Sequence, residues 1–237
     1  MPQMRLDKLL SHLNCGSRKE VQALIRAGRV SVDGTVQKDP AFKVDPDRSQ
    51  TAVDGTVQRY RAQRYYMLNK PMGVITASRD ERHDTVLELF PDELRRGLFA
   101  VGRLDKDTEG LLLLTDDGPL GHALLSPKRH VDKVYLARVD GVVDQSDVEA
   151  LARGMVLGDG LHCLPAGLEP LEDGRVCLVT LREGKYHQVK RMMAARGKPV
   201  TYLKRLSMGP LRLDAALAPG EWRPLTREEV LSLSRFG

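Results

Sequence analysis

Cysteine is scarce in this chain of 237 residues, and the positions of its three cysteines argue against two kinds of site. Cys15, Cys163 and Cys177 are odd in number, show no Cys-x-x-Cys spacing and do not cluster with histidine. Such a pattern indicates neither a disulfide framework nor a zinc site. The cysteines therefore favour a reducing compartment, the cytoplasm, and a protein without a metal centre.

The sequence also lacks the apolar runs of a membrane protein. Its longest aliphatic run is four leucines, Leu111 to Leu114, and its first residues, MPQMRLDKLLSHLN, carry charges where a signal peptide needs an apolar core. We expect neither a membrane segment nor a targeting segment. Aromatic residues make up only 5% of the chain, but 41% hydrophobic and 29% charged residues are ordinary for a soluble globular protein.

Charge is unevenly spread along the chain. Residues 1–70 contain 13 basic and 7 acidic residues, a net charge of +6, which leaves −1 for residues 71–237. A second basic segment, residues 182–212, holds nine basic residues against the single acid Glu183. Two basic segments on an otherwise acidic chain are typical of a protein that binds a polyanion, most often nucleic acid. Solvated side chains without a partner are the alternative, since charge runs alone do not define a site.

The start of the chain shows the pattern of two helices followed by hairpins. The spacing of its leucines predicts a helix over residues 4–13, and a capping box formed by Ser17 and Glu20 predicts a second helix that ends at Gly28. The stretch RVSVDGTVQ then predicts a β-hairpin around its Asp-Gly pair. The hexamer VDGTVQ recurs at residues 53–58 and predicts a second, similar turn.

A polar and basic stretch, RYRAQRYY at residues 59–66, separates this unit from the rest of the chain. We place the domain boundary there, with an N-terminal domain of residues 1–59 and a second domain of residues 60–237. The second domain contains few helices and six strand-like stretches, at residues 66–77, 99–105, 110–117, 132–141, 175–184 and 205–213. This composition predicts an α+β fold with a mainly antiparallel mixed sheet flanked by helices. The helices are expected at residues 85–90, 119–125, 146–153 and 187–196 and from Arg227 onward.

A cluster of polar side chains interrupts the apolar pattern in the stretch VGRLDKDTEGLLLLTDDG, residues 101–118. Asp105 follows a strand-like stretch, where a side chain can be presented at the edge of a cleft, and Gly102 and Gly110 permit tight backbone geometry around it. The residues alone leave two interpretations open. One is an exposed hairpin turn, which such residues commonly form, and the other is a functional site.

The same stretch resembles the signature of the family of ribosomal small-subunit pseudouridine synthases of type A. Three further stretches of that family's pattern appear in order, LNKPMGVITA at residues 68–77, DKVYLARVDG at 132–141 and REGKYHQVKRMMAARG at 182–197. The N-terminal domain resembles the S-four RNA-binding domain that precedes the catalytic domain in this family. The resemblance implies a two-domain isomerase that converts one uridine of small-subunit ribosomal RNA to pseudouridine without a metal or a cofactor.

The resemblance also implies roles for single residues. Asp105 is the implied catalytic residue, either as a nucleophile toward the sugar or the base or as a base that removes a sugar proton. Lys190 stands at the position of the family's basic partner, where several relatives carry arginine, and a cation there favours the charged form of the carboxylate. Tyr135 is implied to stack on the target base and to move the proton at carbon 5. Arg103 is implied to hold the displaced nucleotide.

Plainer interpretations of the same residues stand beside the implied ones. Tyr135 has the pattern of an ordinary core residue of a strand, and Lys190 has that of the exposed face of a helix with an apolar opposite side. Lys70 and Pro71, in the NKP stretch, are expected mainly to support the site from beneath.

The expected partner is ribosomal RNA, free or within an assembling ribosomal particle, and the protein is expected to be a monomer. The residues that we expect to contact RNA are basic residues of the two basic segments and one beside Asp105: Arg5, Arg18, Lys19, Arg26, Arg29, Arg103, Lys185 and Arg191.

Three other functions remain open from the sequence. A glycoside hydrolase would need a second carboxylate across the pocket, for which Asp107, Asp116 and Asp117 are the candidates. A pseudouridine synthase of the same kind could act on large-subunit ribosomal RNA instead, although the stretch LLSPKRHVDKVY favours the small-subunit branch. The third is a non-catalytic RNA-binding assembly factor that uses both basic segments.

Overall fold

The computed structural model describes residues 3–13, 15–46, 48–58, 63–126, 129, 131–171, 173–233 and 235. Contacts divide the chain into two compact units, Met1–Ala62 and Gln63–Gly237, which we call the first and the second unit. The boundary predicted between residues 59 and 60 lies outside the described residues.

The first unit combines two helices with short strands. The helices are α1 (Leu6–His12) and α2 (Arg18–Arg26). The strands are β1 (Met4–Arg5), β2 (Val30–Val32), β3 (Thr35–Gln37), β4 (Lys43–Val44), β5 (Thr51–Val53) and β6 (Thr56–Gln58). Strand β1 pairs with β4, and the other four form an antiparallel sheet in the order β3-β2-β5-β6.

Local sequence signals explain these elements. The predicted capping box is present, since the Ser17 side chain accepts from the Glu20 N–H and the Glu20 carboxylate accepts from the Ser17 N–H over 2.8 Å. Both Asp-Gly pairs form hairpin turns, with Asp33 and Asp54 in the left-handed region at a φ of 50°. Helix α1 begins two residues later than predicted because β1 pairs with β4.

The second unit is built on one nine-stranded sheet. Its strands are β7 (Tyr65–Lys70), β8 (Phe99–Val101), β9 (Glu109–Thr115), β10 (Lys133–Val139), β13 (Gly167–Leu171), β14 (Val176–Leu181), β15 (Val200–Met208), β16 (Leu211–Arg212) and β17 (Trp222–Pro224), and a separate hairpin joins β11 (Met155–Val156) to β12 (His162–Cys163). The main path runs β13-β14-β10-β15-β9-β7-β17, with β16 beside β15 and β8 beside β9. Within the described ranges every strand pairing of this sheet is antiparallel except that of β9 with β15.

Five helices accompany this sheet in the part of the chain that the structure describes: α3 (Asp92–Arg95), α4 (Gly118–Leu125), α5 (Gln145–Arg153), α6 (Gln188–Ala195) and α7 (Arg227–Leu233). The arrangement confirms the predicted α+β fold with a mainly antiparallel mixed sheet. No helix found in the described ranges has the length and apolar character needed to cross a membrane.

The run of four leucines is explained by a sheet that is covered on both faces. Leu112 and Leu114 belong to one hydrophobic cluster, and Leu111 and Leu113 belong to another. Alternate residues of a strand point to opposite faces, so an unbroken apolar run marks a strand that is buried on both sides. Strand β9 is therefore a central strand, and the polar cluster just before it lies where this buried strand begins.

Strand β9 passes very close to β15 at its start. A β-carbon at Gly110 would lie 2.2 Å from the carbonyl oxygen of Arg205, and the φ of Gly110 is 103°, so only glycine fits there. The parallel pairing joins Glu109 to Lys204 and Gly110 to Arg205. Consequently the loop that precedes β9 ends directly beside β15.

One predicted helix is wrong. Residues 85–90 form consecutive turns rather than a helix. Val86, Leu87 and Phe90 are buried, which accounts for their helix-like spacing. Pro91 follows at once and disfavours helical backbone at the residue before it, so the chain turns into the core without completing a helix. The other four predicted helices are present as α4 to α7.

Candidate active site

The loop between β8 and β9, residues 102–108, carries Asp105. Leu104 anchors this loop, since its N–H donates to the Thr76 hydroxyl over 3.1 Å and its carbonyl accepts from the same hydroxyl over 2.9 Å. On the other side, the Thr108 N–H donates to the Asp105 carbonyl over 3.1 Å. The backbone is therefore tied both before and after Asp105.

Lys70 supports the same loop from the end of β7. Its side chain is fully buried, and Nζ donates to the carbonyl oxygens of Pro71 and Thr108 over 3.0 Å and of Lys106 over 3.5 Å. Burial lowers the pKa of Lys70 to about 8, although the carboxylates of the loop partly oppose that shift. These contacts agree with the supporting role expected for the NKP stretch.

The Asp105 carboxylate lies between two side chains at the start of α6. Lys190 Nζ is 3.1 Å from Oδ2, and His187 Nε2 is 3.5 Å from Oδ1. The Asp105 side chain is 24% exposed, so it is sheltered from bulk water and still open to a ligand. The structure thus brings Asp105 and Lys190 together as an ion pair.

Lys190 also binds a second carboxylate, that of Asp107, over 2.5 Å. Burial opposes the charge on Lys190, but the hydrogen bonds to Asp107 and Asp105 outweigh it and raise the pKa of Lys190. The same hydrogen bond from Lys190 lowers the pKa of Asp107. Because the Asp107 side chain is 70% exposed, solvent screens this second pair more than the pair with Asp105.

The turn before α6 positions His187. Its φ of 50° lies in the left-handed region, which is uncommon for a residue other than glycine. The ring stacks on Tyr186 with centroids 3.8 Å apart, and Tyr186 is 71% exposed. The buried Gln188 holds the turn, since its amide donates to Glu183 over 2.6 Å and its carbonyl accepts from the Lys185 N–H over 3.0 Å.

A cavity of about 750 Å³ opens beside Asp105, and we call it the Asp105 cavity. Its wall includes four of the residues predicted from the sequence: Asp105, Tyr135, Arg103 and Lys185. Tyr135 is a buried residue of β10, so its side chain is held by the sheet. The volume lies in the range of small-molecule sites and suits a single nucleotide. The catalytic candidates therefore share one cavity, with Lys190 bonded to Asp105.

The sequence analysis did not single out four other residues of the cavity wall: Lys133, Tyr186, His187 and Arg205. All four lie in stretches that it quoted or in the second basic segment. The missing information was the direction of each side chain, which the sheet and the turn before α6 decide. Basic residues in a charged segment give no sequence signal that separates a cavity wall from a solvated surface.

The RNA-binding candidates of the second unit differ in their bonding. Lys185 Nζ lies 3.0 Å from the Glu183 carboxylate, and Arg191 lies 2.5 Å from that of Asp159. Arg103 is exposed at the cavity and, of the three, is alone in having no carboxylate partner in the part of the chain that the structure describes. Arg103 therefore keeps its donors available to a ligand.

In the first unit, three of the five candidates are bonded to carboxylates. Arg5 donates to both oxygens of the buried Asp7 over 3.0 and 2.9 Å, and Arg18 donates to the same carboxylate over 3.3 Å. Arg29 binds Asp54 through two nitrogens, at 2.8 and 2.5 Å. The other two, Lys19 and Arg26, are exposed on α2 and have no carboxylate partner among the described residues.

The carboxylates that a glycoside hydrolase would need are not arranged across the cavity. Asp116 pairs with Arg64 over 2.7 Å, and Asp117 accepts from the first turn of α4 and from the Tyr65 hydroxyl. Asp107 is near Asp105 but on the same loop, where it shares Lys190. This geometry does not match two carboxylates that face each other across a sugar. Among the described residues, no group of three or more His, Cys, Asp or Glu side chains could hold a metal ion.

Comparison with protein families gives two matches along the chain. The family described as RNA pseudouridylate synthase matches residues 64–195, which include the Asp105 loop, Tyr135 and Lys190. The S4 domain family matches residues 4–48 in the first unit.

Several proteins are similar to this chain over almost their whole length. The uncharacterised RNA pseudouridine synthase YtzG of Bacillus subtilis is 49% identical over 96% of this chain and 97% of its own. The ribosomal small subunit pseudouridine synthases A of Pseudomonas aeruginosa and Escherichia coli are 44% and 43% identical, each over 97% of this chain and 100% of their own. A crystal structure of a pseudouridylate synthase superposes with a TM-score of 0.70 at 36% identity, over 97% of this chain and 99% of that one.

Proposed function

The chain belongs to the RNA pseudouridylate synthase family, and on that premise we propose that it converts one uridine of small-subunit ribosomal RNA to pseudouridine. The observation that carries the proposal is the ion pair between Asp105 and Lys190, 3.1 Å apart, at a cavity that Tyr135 also lines. This pair supplies a carboxylate that is held in place by a cation and remains open to a ligand.

The proposed reaction asks little of the protein beyond such a carboxylate. The bond from the anomeric carbon of the sugar to a uracil ring nitrogen breaks, the base turns, and the sugar rejoins at carbon 5. Carbon 5 loses its proton and the ring nitrogen gains one, so substrate and product contain the same atoms. Because no group or electron is transferred to another molecule, the residues of the cavity are sufficient for the chemistry.

Each candidate then has a defined task. Asp105 attacks the sugar or the base, or removes a sugar proton, and Lys190 orients its carboxylate through the ion pair. Tyr135 lies in the cavity wall, where it stacks on the uracil and moves the proton at carbon 5. Arg103 holds the phosphate of the displaced nucleotide, since its fork of donors binds no carboxylate of the described residues.

We assign the docking of the RNA to the first unit, which matches the S4 family, and to Arg103, Lys185 and Arg191 of the second unit. We further propose that the protein acts as a monomer in the cytoplasm, on free ribosomal RNA or on an assembling particle. The choice of small-subunit RNA is supported by the relatives from Pseudomonas aeruginosa and Escherichia coli, which share nearly the full length of the chain. A non-catalytic assembly factor would have no use for the Asp105–Lys190 pair.

The test is direct. Purified protein is incubated with small-subunit or large-subunit ribosomal RNA, both transcribed without modifications, and pseudouridine is mapped at single-nucleotide resolution. We expect one new pseudouridine in the small-subunit RNA and none with Asp105→Asn. Ribosomal RNA from cells with and without the gene should differ at the same position. Identical maps in all these samples would contradict the proposal, and a site in large-subunit RNA would reassign the substrate.

A further inference from the structure

Two buried cations in the wall of the Asp105 cavity have no task in the function proposed above. Lys133 is 7% exposed and Arg205 is 1% exposed, and both line the cavity beside Tyr135. Arg205 is the strand neighbour of Tyr135, while Lys133 precedes Tyr135 by two residues and therefore shares its face of β10. Tyr135 is thus accompanied by two positive charges on the same side of the sheet.

Neither cation has an acidic partner among the described residues. Lys133 Nζ donates to the Val131 carbonyl over 3.2 Å, and Arg205 Nε donates to the Leu111 carbonyl over 2.7 Å. The buried Nη2 of Arg205 has no hydrogen-bond partner within the described ranges. The guanidinium group therefore retains unused donor capacity.

The carboxylates around the two cations are occupied by other groups. Asp132 accepts from Arg182 over 2.9 Å, and Glu183 is bound by Lys185 and Gln188. The oxygens of Asp105 face Lys190 and His187, as described above. Burial lowers the pKa of Lys133, and the charge of Arg205 lowers it further, whereas Asp132 and Glu183 oppose the shift only from a distance.

Such an arrangement is costly for the folded protein. A buried charge without a partner loses its hydration and gains no compensating attraction, and two like charges repel each other. Apolar side chains of similar size would pack at these positions without that penalty. The charges are therefore explained by a ligand that brings negative charge into the cavity, and not by the stability of the fold.

We propose that Lys133 and Arg205 form an anion-binding subsite of the Asp105 cavity, which receives an anionic oxygen of the target nucleotide. This inference rests on the proposed function. The oxygen has two sources in that substrate. One is the phosphate of the nucleotide, and the other is the detached uracil, whose ring nitrogen keeps the electron pair of the broken bond and shares the charge with its carbonyl oxygens. Cations that are already in place before the ligand arrives would stabilise either one.

The experiment measures binding and stability in parallel. Uridine, uridine 5′-monophosphate and inorganic phosphate are titrated against the wild-type protein and against Lys133→Met, Arg205→Lys and Arg138→Met. Arg138 is the matched control, because it is an exposed cation on the opposite face of the same strand. The Arg205→Lys variant keeps a charge and guards against a folding defect from losing the bond to Leu111.

We expect Lys133→Met to weaken binding of the monophosphate by about tenfold to hundredfold, the range for a lost charged hydrogen bond. Its melting temperature should equal or exceed that of the wild type, since a buried unpaired charge has been removed. Arg205→Lys should weaken the same binding less than Lys133→Met does, and Arg138→Met should leave it unchanged. A lysine with a purely structural role would not give this combination of weaker binding and an equal or higher melting temperature.

The three probes separate the two sources of the oxygen. Loss of monophosphate and phosphate binding with uridine binding retained assigns the subsite to the phosphate. Loss of uridine binding together with a lower turnover at saturating RNA assigns it to the uracil. Wild-type protein that binds the monophosphate no better than Lys133→Met, or a Lys133→Met variant that only melts earlier, would overturn the proposal. The binding and melting measurements that test the subsite do not require turnover, so they stand apart from the test of the reaction itself.

Discussion

The first unit and the Asp105 cavity both contain lysine and arginine side chains, but these differ in their exposure and in the groups that they bind. In the first unit, Arg5 and Arg29 lie partly exposed and bind carboxylates of their own unit. Around the cavity, Lys70, Lys133 and Arg205 are buried and bind backbone carbonyl groups instead. Lys185 and Lys190 differ from these three, because Lys185 lies 3.0 Å from the Glu183 carboxylate and the partner of Lys190 is the catalytic candidate itself.

The difference separates binding from chemistry. Exposed cations near carboxylates lose little when a phosphate replaces the acid, so they suit reversible docking that salt can weaken. Buried cations are shielded from solvent ions. They therefore act on a ligand that enters the cavity and on the loop that carries Asp105. Substitutions in the first unit should therefore change affinity and salt dependence, while substitutions at the cavity should change turnover.

The largest effect on turnover is expected from Asp105→Asn. The amide cannot act as nucleophile or base, so turnover should fall by more than about 10³-fold. RNA affinity should stay within about twofold, because phosphate contacts are made elsewhere. Single-turnover assays and filter binding measure the two quantities separately. Asp116→Asn is the matched control from the same stretch, and turnover of Asp105→Asn close to that of this control would remove Asp105 from its role.

Lys190→Met should have the next largest effect. Loss of the cation 3.1 Å from Asp105 removes the side chain that orients the carboxylate, so turnover should fall on the order of 10²-fold. Lys190→Arg should retain much of the activity, because it keeps a cation at this position. A Met variant with full turnover at saturating RNA would place Lys190 on the binding side of the comparison.

Lys70→Met tests whether a buried cation can support turnover solely through its hydrogen bonds to backbone carbonyl groups. Three carbonyl groups of the Asp105 loop and its neighbours would lose a donor, so turnover should fall about tenfold while RNA affinity is retained. Faster amide hydrogen exchange in residues 102–108 would show the loosened loop directly. Wild-type exchange rates together with wild-type turnover would contradict the supporting role.

The pKa of Lys70 adds a pH signature to that variant. Its value of about 8 in the folded protein lies below the ordinary lysine value, so the unfolded chain binds more protons between the two values. The contribution of Lys70 to the free energy of unfolding must therefore increase as the pH rises from about 8 to about 10, by on the order of 3 kcal/mol. Chemical denaturation across that window should show the rise in the wild type and a smaller one in Lys70→Met. Parallel curves for the two proteins would contradict the assignment.

The features of the two units that depend on local sequence patterns could be predicted. The capping box at Ser17, both Asp-Gly turns and the fold class required no knowledge of distant contacts. Strands β13 and β17 were missed because each contains a proline, Pro170 or Pro224, which argues against a strand. Both lie at the edges of the sheet, where a missing N–H is tolerated.

The bonding of the cations could not be predicted, because it depends on side chains that are distant in sequence. Asp7 lies in a leucine-rich helix and gives no sign that it gathers Arg5 and Arg18. Arg205 belongs to a basic segment that was interpreted either as a polyanion-binding surface or as solvated charge, yet pairing with β9 and β10 buries it. Motif resemblance found Asp105, Tyr135 and Lys190 but gave no information on the charges next to them.

The smallest expected effect concerns the salt dependence of RNA affinity. It distinguishes the cations of the first unit from one another. Lys19 and Arg26 have no carboxylate partner among the described residues, whereas Arg29 is bound to Asp54 by two hydrogen bonds. Lys19→Ala and Arg26→Ala should each lower the slope of log affinity against log salt by about 0.7–0.9, the value for one phosphate contact. Arg29→Ala should change the slope less, because Asp54 already neutralises part of its charge. Turnover at saturating RNA should stay at the wild-type rate in all three. Equal slope changes in the three variants would mean that bonding to Asp54 does not restrain Arg29. An unchanged slope in both Lys19→Ala and Arg26→Ala would mean that α2 is not part of the RNA interface.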